Sequence, residues 1–373
     1  FIGWKWGAGA ETLWALQRMI ATLVVACPCA LGLAIPTAVM VGTTRAAEQG
    51  VLVRHPAALE AAGRLRHLLL DKTGTLTIGR PAVTAVAPYD GLSEDDAVRL
   101  AAAAEQVSSH PLARAVVSAA RQRGLMLPEV TDLDTRPGGG VRAKVAGQEV
   151  VVGSAAWLRA NGVDTAAYEE RADALGLDGA TIVWLAHRGR VAALFSIADP
   201  VHPESGEALA GLRRLGVRPR ILSGDRHAAV SALAGRLGVA DFEAELTPEQ
   251  KLERVQALVA AGQRVGMVGD GINDAPALAA ADVGIAIGTG ADVAREAADI
   301  CLVGHSPRLI ARAIELSRRS TRIMLENLFW AVIYNVVMVP LAIFTPLPPA
   351  WAAAAMMASS LSVVGNALRL RRA

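Results

Sequence analysis

Three long apolar segments set the outline of the chain. The first, 19–42, is almost free of charge and is about as long as the roughly 20 residues that a helix needs to cross a bilayer. The second, 324–344, carries only Glu326 near its start, and the third, 350–367, is rich in small residues that allow close helix packing. We predict three transmembrane helices.

The stretch between the first two apolar segments has a different pattern. From about Arg45 to Thr321, short apolar runs such as 68–70, 220–222 and 265–268 alternate with alanine-rich helical stretches. This alternation predicts a parallel sheet with helices on both faces. Residues from 80 to about 190 interrupt it with their own helices and short strands, which predicts an inserted domain. The fold class is therefore α/β plus transmembrane helices.

The charged residues indicate how the chain is oriented in the membrane and argue against one class of partner. Arginines flank the second and third apolar segments, so the positive-inside rule places both flanks and the central block in the cytoplasm. These arginines are Arg318, Arg319, Arg322, Arg369, Arg371 and Arg372. The net charge of +2 and the lack of a basic run interleaved with aromatic residues argue against nucleic acid as a partner.

An aspartate follows the apolar run 68–70, in the sequence Asp71-Lys72-Thr73-Gly74. A carboxylate at the carboxyl end of a parallel strand lies at the crevice where α/β sheets bind ligands, and Gly74 lets the backbone approach a phosphate. This pattern predicts that Asp71 becomes phosphorylated. The alternative is an ordinary turn with a solvated aspartate.

Other polar groups follow the remaining apolar runs. If these runs are neighbouring parallel strands, their ends converge on Asp71. We expect Asp71, Thr73, Asp270 and Asp274 to form a magnesium site, because Mg²⁺ prefers carboxylate oxygens. Lys251 would supply positive charge, and Thr73 and Ser223 would hydrogen-bond a phosphoryl group. The other members of the predicted catalytic set are Lys72, Gly224, Asp225 and Asn273.

The heptapeptide Asp71-Lys72-Thr73-Gly74-Thr75-Leu76-Thr77 and the hexapeptide at 269–274 resemble the phosphorylation and hinge signatures of P-type ATPases. The resemblance implies a haloacid-dehalogenase-like Rossmannoid phosphorylation domain, split by an α+β nucleotide-binding domain and flanked by three transmembrane helices. The boundaries that we predict are 1–44 for the first transmembrane segment, 45–79 and 191–321 for the phosphorylation domain, 80–190 for the insert, and 322–373 for the last two helices and a short tail.

Within the insert, Ser108-Ser109-His110-Pro111 resembles a motif of the heavy-metal branch of that family. The resemblance implies that His110 helps to bind the adenine of ATP, with Glu105 and three glycines nearby. Those glycines are Gly138, Gly140 and Gly153. Without the resemblance, a histidine at a helix start is more often a cap or a surface residue.

Cys27-Pro28-Cys29 lies in the first apolar segment. Residues two apart point to different faces of a regular helix, so both sulfurs reach one ion only if the proline opens the helix. Paired thiolates favour soft ions such as Cu(I), Zn²⁺ or Cd²⁺. The alternative is that both cysteines are buried as small hydrophobic residues.

The other apolar segments carry Tyr334-Asn335 and the pair Met356 and Ser360, which share a helix face. With the two cysteines, these residues resemble the copper-transporting subclass and imply a Cu(I) path. Helix-packing contacts are the alternative for Tyr334 and Asn335. We expect an integral membrane protein of the bacterial plasma membrane that exports Cu(I) with ATP and Mg²⁺, in a lipid bilayer, supplied by a copper chaperone or a metal-donating thiol.

Two rival functions remain at this point: a zinc, cadmium or lead pump, and a phosphatase of the same fold. The family's actuator domain carries a Thr-Gly-Glu loop, and this sequence has no such tripeptide. We therefore expect the chain alone to lack the actuator and the earlier membrane segments, and to bind nucleotide and become phosphorylated without completing transport.

Overall fold

The computed structural model describes residues 2, 3, 6, 11–108, 110–136, 139–177, 179–270, 272–288 and 296–372. Two β-sheets and a group of long apolar helices make up this part of the chain. The predicted fold class, α/β with three transmembrane stretches, is confirmed.

The first sheet has seven strands in the order β1-β13-β12-β11-β2-β9-β10, and every pair except β1 with β13 is parallel. Its central strands are buried along most of their length, as continuous apolar runs predict for a parallel sheet. The strands are β1 Val51–Val53, β2 His67–Asp71, β9 Arg218–Leu222, β10 Phe242–Glu243, β11 Val265–Gly269, β12 Val283–Ile287 and β13 Ile300–Leu302.

Helices cover both faces of this sheet. Leu68 and Leu70 pack in one apolar cluster with α3, α8 and α9, whereas Leu69 packs in another with α10 and α11. The alternation follows from the two-residue period of a strand. The helices are α3 Pro56–Gly63, α8 Ser205–Arg214, α9 His227–Leu237, α10 Pro248–Ala260 and α11 Ala275–Ala280.

The second sheet is antiparallel and has six strands in the order β3-β8-β7-β6-β5-β4. Helices α4 and α5 cover one face and α6 and α7 the other. The strands are β3 Ala82–Pro88, β4 Val130–Arg136, β5 Gly140–Val145, β6 Gln148–Gly153, β7 Thr181–His187 and β8 Arg190–Ala198. The helices are α4 Glu94–Glu105, α5 Pro111–Gln122, α6 Ala155–Ala160 and α7 Glu169–Gly176.

The predicted end of the insert at residue 190 is too early. Strand β8 continues to Ala198 and pairs with β3 and β7 of the second sheet, so 191–198 belongs to the insert and not to the first sheet. The apolar run of β8 resembles a strand of a parallel sheet in sequence. Only its pairing partners show which sheet it joins.

Three stretches of the described residues are long and apolar enough to cross a membrane: Thr12–Glu48, Arg308–Phe344 and Pro349–Arg371. The first is broken into α1, Thr12–Val25, and α2, Cys29–Glu48, with Pro28 as the N-cap of α2. A break at Pro28 was expected and is confirmed. An interruption was also expected at Pro36, but Pro36 lies inside the continuous helix α2. The helical part also starts earlier and ends later than 19–42.

The other two stretches are α12, Arg308–Phe344, and α13, Pro349–Leu368. Helix α12 is continuous across residue 322, where a domain boundary was predicted. Ile310, Ala313 and Ile314 pack in the core of the first sheet, while the later turns form the apolar stretch. One continuous helix therefore connects the α/β part to the membrane part.

Candidate functional site

Three strand ends meet at one edge of the first sheet. Strand β2 lies between β9 and β11 and runs parallel to both, so the predicted neighbours are confirmed. Asp71 ends β2, Ser223 directly follows β9, and Asp270 directly follows β11. Because the strands are parallel, their carboxyl ends form a common crevice.

The crevice contains three carboxylates and one ammonium group. Asp71, Asp270 and Asp274 each offer an oxygen, and these oxygens lie within 4.8 Å of one another. Lys251 Nζ donates to Asp71 Oδ1 at 2.5 Å and to Asp274 Oδ1 at 2.9 Å. Lys251 is held in the first turn of α10, whose start is fixed by a capping box between Thr247 and Gln250.

Burial and mutual repulsion change the acidity of these groups. Burial, together with the carboxylate of Asp274, raises the pKa of Asp71 from 3.8 to about 7, although Lys251 opposes the shift. Burial and Asp274 also raise the pKa of Asp270. Burial acts against the charged ammonium of Lys251, but Asp71 and Asp274 outweigh it and raise the lysine's pKa. Such a set of carboxylates is suited to a hard divalent cation.

The turn after Asp71 brings the backbone close to the carboxylates. Gly74 has a φ of +69°, and a Cβ placed on it would lie 1.7 Å from Asp270 Oδ2, so no other residue fits there. The N–H of Thr73 donates to Asp71 Oδ2 at 3.1 Å. Thr73 itself is exposed at the mouth of the crevice.

Asp199, which the sequence reasoning did not select, fixes the far end of this turn. Its carboxylate accepts from Thr77 Oγ1 at 2.5 Å, from the N–H of Gly79 at 2.9 Å and from the N–H of Arg80 at 3.1 Å. The residue follows β8 and precedes Pro200, so an aspartate at a strand end was the available signal. The chain passes from the first sheet to the second after β2 and returns after β8, and these hydrogen bonds join the two connecting segments.

The remaining predicted catalytic residues lie around the crevice at different depths. Lys72 forms an ion pair with Asp225, and Ser223 is buried with its Oγ accepting from the N–H of Asp225 at 3.2 Å. Gly224 is exposed beside them. Asn273 lies in the turn Ile272–Asp274 and is exposed.

A cleft of about 1140 Å³ opens between the two sheets. Lys72, Asp199 and Asp225 line its side near the crevice, and Arg159 and Trp184 line its side on the insert. Its volume exceeds the roughly 300–1,000 Å³ typical of small-ligand sites. The cleft is therefore large enough for an extended ligand that contacts Lys72 and Asp225 beside the crevice.

Two glycines of the insert touch across neighbouring strands. Gly140 pairs with Gly153, and a Cβ on Gly140 would lie 2.1 Å from the carbonyl oxygen of Val152 and 2.6 Å from Trp157 Cδ1. The close approach leaves no room for a side chain at either position. Trp157, which the sequence reasoning missed, packs directly on this pair. Gly138 lies outside the described residues.

His110 is the N-cap of α5, and its Nδ1 accepts from the N–H of Leu112 at 3.3 Å. Nε2 is the ring nitrogen not used by this cap. Glu105 ends α4 and is buried, and burial raises its pKa to about 7 while a hydrogen bond from Ser108 opposes the shift. The turn between α4 and α5 thus places a carboxyl group with a raised pKa five residues before His110.

The predicted copper residues lie on contacting helices. Cys27 and Cys29 flank Pro28 at the break between α1 and α2, and their sulfurs are joined as a disulfide, with Cα atoms 5.5 Å apart. The expected thiolates correspond to the reduced form of this pair. Helices α1 and α2 each contact α12 and α13. Half-buried residues on those two helices complete the set: Tyr334, Asn335, Met356 and Ser360.

A polar network between the membrane helices was not predicted. Asn327 is fully buried; its Nδ2 donates to the carbonyl oxygen of Ala34 at 3.1 Å, and its Oδ1 accepts from Asn366 Nδ2 at 2.9 Å. Glu326 accepts from Asn366 Nδ2 and from Arg369 Nη1, both at 3.2 Å. These bonds join α2, α12 and α13 near the level where α12 leaves the α/β part.

The part of the sequence that forms the crevice matches a known family. A family model for a haloacid dehalogenase-like hydrolase matches residues 65–282, which is more than half of the chain. The chain belongs to the haloacid dehalogenase-like hydrolase family. Within this family, its relatives show that it is homologous to copper-exporting P-type ATPases.

Two relatives and one solved structure illustrate this similarity. Copper-transporting ATPase 2 of Rhizobium meliloti (strain 1021) is 42% identical over 379 residues, covering 100% of this chain and 46% of the relative. The silver exporting P-type ATPase of Salmonella typhimurium is 41% identical over 379 residues, with the same two coverages of 100% and 46%. The structure of a zinc-transporting PIB-type ATPase in the E2.Pi state is 36% identical with a TM-score of 0.85, covering 93% of this chain and 56% of that chain. The chain spans about half the length of these relatives.

Proposed function

We propose that this chain is the catalytic and membrane portion of a pump that exports copper(I) at the expense of ATP. The observation that carries the proposal is the buried Asp71, paired with Lys251 beside two further carboxylates, in a chain that also has membrane helices broken at Cys27-Pro28-Cys29. The homology to copper-exporting P-type ATPases supports it.

The chemical step is transfer of a phosphoryl group to Asp71. A carboxylate oxygen of Asp71 attacks the γ-phosphorus of ATP, the new O–P bond forms, and the bond from phosphorus to the bridging oxygen breaks with its electron pair leaving on ADP. The N–H of Thr73 and the hydroxyl of Ser223 are suited to bind the equatorial oxygens. Lys251 balances the negative charge, and Lys72, Gly224, Asp225 and Asn273 complete the surroundings of the phosphoryl group.

The donor set fits a magnesium ion. Asp71, Asp270 and Asp274 supply hard oxygen ligands within 4.8 Å of one another, and Thr73 adjoins them. When bound, Mg²⁺ would neutralise charge on the transferred phosphoryl group. In the same proposal, Glu105, His110, Gly138, Gly140 and Gly153 bind the nucleotide, with Nε2 of His110 open to the base and the glycine pair allowing close approach.

For the transported ion, the membrane residues favour a soft monovalent metal. Thiolates of reduced Cys27 and Cys29 with the thioether of Met356 suit Cu(I), and Tyr334, Asn335 and Ser360 line the proposed path. No Asp, Glu or Lys occurs in 328–344 or 349–368 to balance a divalent charge. The ion would come from a copper chaperone or a metal-donating thiol, at a bacterial plasma membrane with the α/β part in the cytoplasm.

A second candidate is export of zinc, cadmium or lead, which the similarity to a zinc-transporting structure favours. The two candidates differ in which metal stimulates phosphorylation. A phosphatase of the same fold is disfavoured by the three stretches able to cross a membrane.

Labelling of the purified protein with γ-³²P ATP and Mg²⁺ tests the proposal. We expect an acid-stable, hydroxylamine-sensitive label that requires Cu(I) and is absent in D71N. The matched control D241N, at an exposed carboxylate paired with Arg220, keeps the label. A label stimulated by Zn²⁺ and not by Cu(I) would establish the second candidate, and no label under any metal would favour the phosphatase.

The cysteines are tested separately under reducing conditions. C27S and C29S should each abolish stimulation by Cu(I), because one thiolate cannot replace a pair of soft ligands. C301S is the control, since Cys301 lies on β13 of the first sheet. Equal stimulation in all three variants would contradict the assignment of the copper path.

A further inference from the structure

A cavity of about 560 Å³ lies where α12 leaves the α/β part and enters its apolar stretch. Its upper wall carries three arginines, Arg64, Arg318 and Arg322. Its lower wall is apolar, formed by Leu325, Phe329 and Trp330. The volume falls within the roughly 300–1,000 Å³ range of small-ligand sites. None of these residues takes part in the proposed phosphorylation or metal path.

The positive charge of this cavity is only partly balanced. Arg64 forms an ion pair with Glu60, an exposed residue of the same helix. Among the residues that the structure describes, Arg318 donates only to backbone carbonyls, those of Gly63, Leu65 and Leu215. The guanidinium of Arg322 makes no hydrogen bond or ion pair with any residue that the structure describes. The carboxylate in the lining, Glu326, is bonded to Arg369 and Asn366.

The apolar wall faces outward along the helix. Leu325, Phe329 and Trp330 are each more than half exposed, and they share a face with Arg322 because residues three, four, seven and eight apart lie on one side of a helix. Trp330 lies eight residues beyond Arg322, about 12 Å deeper at roughly 1.5 Å per residue. Such an order, with arginine followed by aromatic residues, matches the boundary between headgroups and acyl chains.

We propose that this cavity binds an anionic phospholipid from the leaflet that faces the α/β part. Its phosphate would pair with Arg322 and Arg318, and one acyl chain would lie along Leu325, Phe329 and Trp330. A lipid explains both walls, since a free phosphate ester would use the arginines and leave the aromatic wall exposed. The proposal requires only that α12 crosses a bilayer, so it stands whichever metal is transported.

Arg318 links the cavity to the first sheet of the α/β part. Gly63 and Leu65, whose carbonyls Arg318 holds, lie immediately before β2, the strand that ends at Asp71. A bound lipid would therefore touch the same arginine that ties α12 to the phosphorylated strand. We expect the occupied cavity to stiffen this connection.

The purified protein is placed in nanodiscs that contain phosphatidylglycerol and phosphatidylcholine. Native mass spectrometry then measures which lipids stay bound to the protein after its release from the nanodisc. We expect enrichment of phosphatidylglycerol, with R322Q lowering its retention about fivefold, the effect of one arginine near a membrane surface. R371Q is the matched control, because Arg371 is also next to the membrane but lies outside the cavity. W330A should shorten retention of both lipids.

Three results would overturn the proposal. One is an equal loss of phosphatidylglycerol in R322Q and R371Q, which would indicate general surface attraction. Another is no preference between the two lipids in the parent protein. The third is displacement of phosphatidylglycerol by millimolar glycerol 3-phosphate, which would assign the cavity to a soluble phosphate ester. Phosphorylation by ATP, measured in parallel, reports on the proposed pump independently of these outcomes.

Discussion

Lys251 Nζ lies 2.5 Å from Asp71 Oδ1, although 180 residues separate them in sequence. The contact is buried, and Lys251 also donates to Asp274 at 2.9 Å. A single ammonium group therefore holds together carboxylates that would otherwise repel one another. Its removal has consequences for both chemistry and stability.

The variant K251M should lower the initial rate of acid-stable labelling by about 10²-fold or more, the usual effect of losing a group aimed at developing charge. In EDTA it should also lower the free energy of unfolding by about 3 kcal/mol, because a buried charge loses its partner. The control is K144M, at an exposed lysine that pairs with Asp132. A parent-like labelling rate in K251M would contradict the role of Lys251.

The stability of the insert should fall as the pH rises. Burial keeps Glu105 protonated in the fold to about pH 7, whereas its ordinary pKa is 4.5. The folded state thus binds more protons between these values, so the contribution is complete below pH 4.5 and is lost as the pH passes 7. The loss is about 3 kcal/mol at most.

Urea unfolding of the parent and of E105Q from pH 4 to pH 8 measures this dependence. E105Q cannot ionise and should give a flatter profile. E94Q, at the exposed first turn of the same helix, should follow the parent. If E105Q keeps the parent's slope, another group is responsible.

The glycine pair of the insert should not tolerate a side chain. In G140A the new Cβ would meet the carbonyl oxygen of Val152 at 2.1 Å, so β5 and β6 must separate and move Trp157. We expect ADP affinity, measured by calorimetry, to fall at least tenfold. G147A is the control: Gly147 also has a positive φ, of +76°, but nothing lies within 4 Å. It should cost about 1 kcal/mol of stability and leave ADP affinity unchanged.

Arg318 should stabilise the junction between α12 and the first sheet. Its guanidinium donates to Gly63 O at 3.1 Å, to Leu65 O at 3.4 Å and to Leu215 O. R318Q should destabilise the protein by about 2 kcal/mol, since hydrogen bonds to a charged group contribute about 1.5–3 kcal/mol each and glutamine keeps part of the contact.

The neighbouring R319Q is a control for R318Q, because within the described part of the chain Arg319 forms only an exposed pair with Glu315, one helical turn away. Its effect should stay below about 0.5 kcal/mol. Equal destabilisation of the two variants, in thermal unfolding of the protein in detergent, would mean that the carbonyl contacts of Arg318 contribute nothing specific.

Local patterns predicted much of this arrangement. The apolar runs before Asp71, Ser223 and Asp270 form three adjacent parallel strands. These strands could be predicted because short buried strands appear in sequence as continuous apolar runs. The break at Pro28 follows from the missing N–H and the ring of proline. In both cases the cause lies within a few residues of its effect.

Other features depend on distant partners and were missed. Asp199 holds the turn after Asp71 across 122 residues, counted from Thr77. Asn327 bonds to Ala34 across 293 residues. The predicted boundary at 190 left most of β8 outside the insert, since an apolar run in sequence does not show which strands it pairs with. Trp157 was overlooked because an aromatic residue at a helix start has no distinctive pattern.

Local patterns in the sequence indicated most of the elements, the aspartate that follows β2, and the residues that carry sulfur ligands, because propensity, periodicity and side-chain chemistry are local properties. Folding brought Lys251 to Asp71, Gly140 to Gly153 beneath Trp157, and the arginines of the cavity to the aromatic residues of α12. Those relationships are distances between groups far apart in the chain, and packing alone fixes them.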